Sequence, residues 1–126
     1  MNAKQLNPAA LAFVGDAVYG LLVRERLCSV SRPSGELHSL SVKLVSAAAQ
    51  VQAFKVIEPY LLEEELEIFR RGRNFHTNST PKSVTVQEYH IATGLEVLFG
   101  FLHMSENHSR KIELFSIIWN EFEHKI

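Results

Sequence analysis

The 126-residue sequence contains one cysteine, Cys28, only four prolines, and no uncharged apolar run approaching membrane-spanning length. One cysteine excludes an internal disulfide framework and suits a reducing compartment. Cys28 is a poor nucleophile candidate, because it sits just past an apolar stretch with no base beside it, and it reads as a small core residue. The first ten residues, MNAKQLNPAA, lack the charged-then-apolar order of a secretion signal. The expectation is a soluble protein without a membrane, in the cytoplasm or in an organelle stroma if the source bears plastids. Charge of either sign is also not in excess: thirteen Lys and Arg stand against fourteen Asp and Glu. Attraction to nucleic acid therefore has to come from a local patch.

Several chemistries are missing as well. No glycine-rich phosphate loop is present, and the nearest candidate, Arg71-Gly-Arg, is far too short. No serine sits in a nucleophile-elbow context. Six histidines are present, but none pairs at zinc-ligand spacing; His103 and His108 lie five apart across an expected turn, with no second cysteine to help. Strand-like alternation, internal repeats and low-complexity tracts are absent too.

What remains is helical periodicity. Residues 7–27, NPAALAFVGDAVYGLLVRERL, read as one helix, with Asn7 as N-cap and Pro8 at the first helical position. Residues 37–57 read as a long second helix, with Leu37, Leu40, Leu44, Ala47, Val51 and Phe54 on its apolar stripe. His38, Lys43, Gln50 and Lys55 fall off that stripe, on a solvated face. Residues 61–71 form a shorter helix, acidic at its start (Glu63, Glu64, Glu65) and basic at its end, an order that matches the helix dipole. Thr85 and Glu88 have capping-box spacing and open a helix through residue 104. After a turn at 105–109, a last helix carries Ile112, Phe115, Ile118, Trp119 and Phe122 on one stripe. The expectation is an all-α protein of about five main helices, one domain over residues 1–126.

Two of these helices contain an anomaly. Residues 8–23 are apolar on nearly every side yet include one carboxylate, Asp16, and residues 89–104 likewise include only Glu96. A helix apolar all round is expected to be central, and an uncompensated carboxylate buried there costs several kcal/mol. Gly15 adjoins Asp16, and Gly94 and Gly100 flank Glu96. Glycine inside a helix costs about 1 kcal/mol against alanine and commonly marks close backbone approach. Two helices crossing at these glycines would bring the acids together. Neither segment has a Lys or Arg to neutralise them, and a hard divalent cation such as Mg2+ is the natural compensation. The alternative is that each acid bonds a backbone amide or faces a crevice.

Between Glu67 and Glu88 the chain carries Arg70, Arg71, Arg73, Lys82 and His76 but no acid. Asn74, Thr77, Asn78, Ser79 and Thr80 add groups of the kind that contact phosphates and sugars. This segment reads as an anion-binding loop, against the alternative of an ordinary polar loop. Two carboxylates and a basic loop are the parts of metal-assisted phosphodiester hydrolysis.

These residues resemble a known family. Leu11-Ala-Phe-Val-Gly-Asp-Ala-Val18 resembles the signature helix of the ribonuclease III family, and Glu96-Val-Leu-Phe-Gly-Phe-Leu102 its second catalytic helix. Residues 6–16, Arg71-Gly-Arg-Asn74, Thr80-Pro-Lys82 and residues 92–102 are similar, in order, to the Mini-III branch, which consists of the catalytic domain alone. The resemblance implies an all-helical homodimer that cuts double-stranded RNA with Mg2+ to 5′-phosphate and 3′-hydroxyl ends, usually in maturation of the large-subunit (23S) ribosomal RNA precursor. It puts Asp16 and Glu96 on the metal-binding acids and Phe13 on the aromatic residue that plugs into the partner subunit. Arg71, Arg73, Asn74 and Lys82 fall on a segment that grips RNA. Two acids of the larger family are replaced, by Ala12 and by Thr93, which implies a metal shell richer in water, with Thr93 acting through one. The chain ends soon after its last helix, so no double-stranded-RNA-binding domain is expected, and affinity for RNA should be modest and salt-sensitive. The rival readings are a non-catalytic double-stranded-RNA-binding module of the same fold and a helical protein–protein adaptor.

Overall fold

The structure, a computed structural model, describes residues 2–30, 32–75 and 85–126. The helices are α1 (Pro8–Leu27), α2 (Ser34–Leu44), α3 (Ala47–Ile57), α4 (Glu63–Arg73), α5 (Val86–Met104) and α6 (His108–Glu123), with short 3-10 turns at Ala3–Gln5 and Glu58–Tyr60. No strand occurs among the described residues, so the protein is all-α as its sequence suggests.

The caps act where the sequence places them. Asn7 accepts a hydrogen bond from the Ala10 amide at 2.8 Å, with Pro8 opening α1; such a cap is worth about 1 kcal/mol. The Thr85 hydroxyl accepts from the Glu88 amide at 3.1 Å, and the Glu88 carboxylate accepts from the Thr85 amide at 3.3 Å, which starts α5.

The expected single helix over 37–57 is instead two, so the described residues hold six α-helices where about five were expected. Ser46 is the cause. Its hydroxyl donates to the Lys43 carbonyl at 2.9 Å and accepts from the Ala49 amide at 3.2 Å, closing α2 and capping α3 within one residue. The two axes differ by 64°. Apolar spacing runs through the break unchanged, so periodicity alone does not register it.

Helices α1 and α5 form the most extensive packing in the molecule, and they cross at glycines. A β-carbon on Gly15 would overlap the Glu96 carbonyl, and one on Gly100 would overlap the Leu11 carbonyl. Helix α4 approaches α5 in the same way: a β-carbon on Gly72 would stand 2.6 Å from Val97, and one on Gly94 would stand 2.7 Å from the Phe69 ring. Around the crossing, Tyr19 meets Phe99 and Phe115 edge-on, at centroid distances of 5.4 and 5.6 Å. Trp119 is buried as expected. Ile112, placed on the buried stripe by its spacing, is instead exposed, since the buried face of α6 begins only at Leu114.

Two further expectations are corrected. Cys28 is exposed, because as the C-cap of α1 it lies past the packed face. Glu65, one of the three acids whose place at the helix start the dipole alone explains, is instead only 4 % exposed. Its carboxylate accepts from the Leu62 amide and from Arg110 Nε and Nη2, all at 2.8 Å, while Arg110 also donates to the Tyr60 carbonyl at 2.7 Å. Burial opposes ionisation of Glu65, but the Arg110 guanidinium and the Leu62 amide outweigh it and hold the carboxyl below its usual range. This bidentate pair fastens α4 to α6.

Candidate active site

The glycine crossing determines where the two anomalous acids lie. Gly15 rests against the backbone of Glu96, so the next residue of α1, Asp16, stands beside the Glu96 side chain. The two carboxyl groups hydrogen-bond to each other. Asp16 is exposed and Glu96 half-buried, which corrects the expectation that both are sealed in the core. Helix α1 is apolar nearly all round, but one of its apolar faces is open: Phe13 is 82 % exposed and Leu21 58 %. Asp16 borders that open face.

Burial first, then the neighbouring Asp16 charge and the hydrogen bond shared with it, raise the Glu96 pKa from 4.5 to about 8. Among the described residues no Lys or Arg forms an ion pair with either acid. Two carboxylates placed side by side are unfavourable unless they share a proton or a cation.

The reading of the sequence missed a third side chain. Gln50, assigned to a solvated face, is only 3 % exposed. The break at Ser46 turns α3 so that Gln50, in its first turn, points inward. Its Nε2 donates to the Val45 carbonyl at 3.2 Å, and its carboxamide lies close enough to Glu96 to favour the ionised carboxylate. Its Oε1 is buried with no hydrogen-bond partner among the described residues. An unpaired buried acceptor costs about 1–3 kcal/mol.

Thr93, one turn before Glu96, is buried and donates its hydroxyl hydrogen to the Tyr89 carbonyl at 2.9 Å. Only its lone pairs remain, so toward a water it can act solely as an acceptor. The basic residues lie at the end of α4. Because Gly72 packs against Gly94 and Val97, that end lies level with Glu96 along α5. Arg71 and Arg73 flank Gly72, are exposed, and make no ion pair among the described residues. Arg73 donates to the Asn74 side chain at 3.2 Å and lies over the Phe69 ring, whereas Arg70 is paired with Glu63. Lys82 lies outside the described residues.

The donor set suits one kind of metal. Two carboxylates, one of them open to solvent, match the habit of Mg2+, which takes one or two carboxylates and completes its shell with water. No group of three or more His, Cys, Asp and Glu gathers into a metal site among the described residues. With Asp16 exposed beside a basic helix end, the pair is also accessible to a large polyanion.

An all-α fold with opposed carboxylates at the crossing of its central helices, flanked by unpaired arginines, defines a nuclease-like site, and similarity to known proteins makes the class specific. Residues 9–107 match the Ribonuclease III domain family. A Mini-ribonuclease 3 from Thermoanaerobacter sp. (strain X514) is 46% identical over 106 residues, 83% of this chain and 75% of that one. Its counterpart from Clostridium tetani is 36% identical over 124 residues, 97% and 82% of the two chains. That from Streptococcus pneumoniae is 41% identical over 120 residues, 92% and 93%. The crystal structure of protein FN1578 from Fusobacterium nucleatum superposes with a TM-score of 0.81 at 29% identity, covering 97% of this chain and 96% of that one. The chain belongs to the ribonuclease III family, on its Mini-ribonuclease 3 branch, and it is an endoribonuclease.

Proposed function

We propose that this endoribonuclease cuts double-stranded RNA with Mg2+ held between Asp16 and Glu96, leaving 5′-phosphate and 3′-hydroxyl ends. It acts in the cytoplasm as a homodimer of single-domain chains (residues 1–126), on the large-subunit (23S) ribosomal RNA precursor. The observation that carries this reading is the side-by-side placement of two carboxylates with no paired Lys or Arg among the described residues. The substrate and the product ends rest on the resemblance to Mini-III ribonucleases.

Asp16 and Glu96 would hold the ion from two different helices, and their separation is fixed by the glycine crossing rather than by loops. Bound there, Mg2+ would neutralise both acids, polarise a phosphate and lower the pKa of a water molecule. Glu96 must give up its proton to serve as a ligand. Thr93 accepts a hydrogen bond from a water beside Glu96 and so orients it. Arg71 and Arg73, with Asn74, hold phosphates of the duplex backbone and position the strand. The open apolar face of α1 around Phe13 and Leu21 supplies the surface for a second copy, with Asp16 at its edge.

The test is incubation of a long perfectly paired RNA with the wild type and Asp16→Asn, in Mg2+ and in chelator. Cutting by the wild type in Mg2+ alone, with 5′-phosphate products and none from the variant, is expected. RNA that is bound but left intact in Mg2+ would overturn this reading and favour a binding module.

A further inference from the structure

Among the described residues, Gln50 is the one buried polar side chain at the carboxylate pair that the chemistry above does not use. It is a full-length amide buried to 97 %, in a position whose neighbours Val51, Ala53 and Phe54 are all core residues. A leucine or methionine would fill the same volume without a buried carbonyl left unpaired. What the amide adds lies on its nitrogen. One N–H goes to the carbonyl of Val45, at the α2–α3 corner, at 3.2 Å, and the carboxamide also lies close enough to the Glu96 carboxylate to favour its ionised form. Its oxygen has no partner among the described residues. The orientation is fixed by the same contacts: turning the amide over would set its oxygen against the Val45 carbonyl, acceptor to acceptor.

We propose that Gln50 is a positioning residue for the metal-binding carboxylate. It spans the corner between α2 and α3 and the Glu96 side chain, and it holds that side chain in the rotamer that faces Asp16 across the helix crossing. This deepens the nuclease reading and rests on it. Glu96 is half-buried on a helix, and without a donor from α3 its carboxylate is free to swing toward solvent. Groups that orient a metal ligand are worth about 10–100-fold in metal affinity or activity. Gln50 is buried beneath the pair and has no access to RNA, so it acts on the metal and on turnover and leaves RNA binding alone.

The experiment uses the full chain and Mn2+ as the probe ion, measured by calorimetric titration for the wild type, Gln50→Leu and Glu96→Gln. Gln50→Leu is expected to bind Mn2+ about tenfold more weakly, to lower kcat for RNA cleavage with KM for RNA unchanged, and to melt in chelator no lower than the wild type. In parallel, the side-chain 15N–1H2 signals of Gln50 are followed in a glutamine-labelled wild type. They should exchange slowly with solvent and move both on addition of Mg2+ and in Glu96→Gln. Equal Mn2+ affinity in Gln50→Leu, whether or not the variant melts lower, would overturn the proposal. If Gln50→Leu does not fold, freely exchanging Gln50 amide protons that ignore Mg2+ and Glu96→Gln would overturn it instead. A wild type that neither binds Mn2+ nor cuts RNA would overturn the nuclease reading as well, so the two failures are distinguishable.

Discussion

A glutamate whose carboxyl is raised to about 8 has consequences for stability that can be measured without RNA. Below pH 4.5 Glu96 is protonated in both folded and unfolded chains and costs nothing. Above it the unfolded chain ionises while the folded one keeps its proton, so stability falls as pH rises and the loss is complete once pH passes about 8. Allowing for the solvent that reaches this half-buried group, the cost is on the order of 2 kcal/mol. Melting curves in chelator should therefore show Glu96→Gln gaining on the wild type from pH 5 to pH 8, and Mg2+ should restore the wild type. Curves that stay parallel across that range would refute the assignment of the proton to this site. Asp16 and Glu96 were legible in the sequence because each is a lone charge in an apolar helix. Asp16's exposure was not, since an apolar helix face looks the same whether its own chain or nothing covers it.

At the scale of the elements, the site depends on backbone contact between α1 and α5. Gly15→Ala would drive a methyl group into the Glu96 carbonyl. Backbone cannot move aside as a flexible side chain can, so the variant should lose at least about 3 kcal/mol of stability and misplace Glu96 relative to Asp16. Denaturant unfolding and a Mn2+ titration check both effects; a variant of wild-type stability would show that the helices do not cross there. This crossing could be anticipated from Gly15 and Gly100, whereas Gly94, expected there too, instead faces Phe69 of α4; the starts of α1 and α5 could be anticipated from Asn7, Pro8, Thr85 and Glu88. The break between α2 and α3 could not. Leu37 through Phe54 keep one continuous spacing across it, and the local hydrogen bonds of Ser46 decide the matter. Gln50 was misplaced for the same reason, because a helix drawn straight through 37–57 turns it outward. Glu65 reads as one of three equivalent acids until Arg110, 45 residues away, selects it.

For the whole molecule, the open apolar face of α1 is the feature the single chain leaves unsatisfied. Phe13 is 82 % exposed, a poor place for a phenyl ring unless a second surface covers it. Phe13→Glu should leave the helical content unchanged and shift the proposed homodimer toward monomer in sedimentation. A variant that sediments as the wild type would remove Phe13 from the interface. Sequence spacing gives core and interface residues the same signature, so this face emerged only once the rest of the chain had folded away from it. The claim on which everything else turns is that Asp16 and Glu96 form the cutting centre. Its most direct test is the single-turnover rate of duplex RNA cleavage in saturating Mg2+, for the wild type against Glu96→Gln shown to be folded by its melting curve. The rate should fall by on the order of 10³-fold, and a folded Glu96→Gln that cuts at the wild-type rate would contradict the assignment.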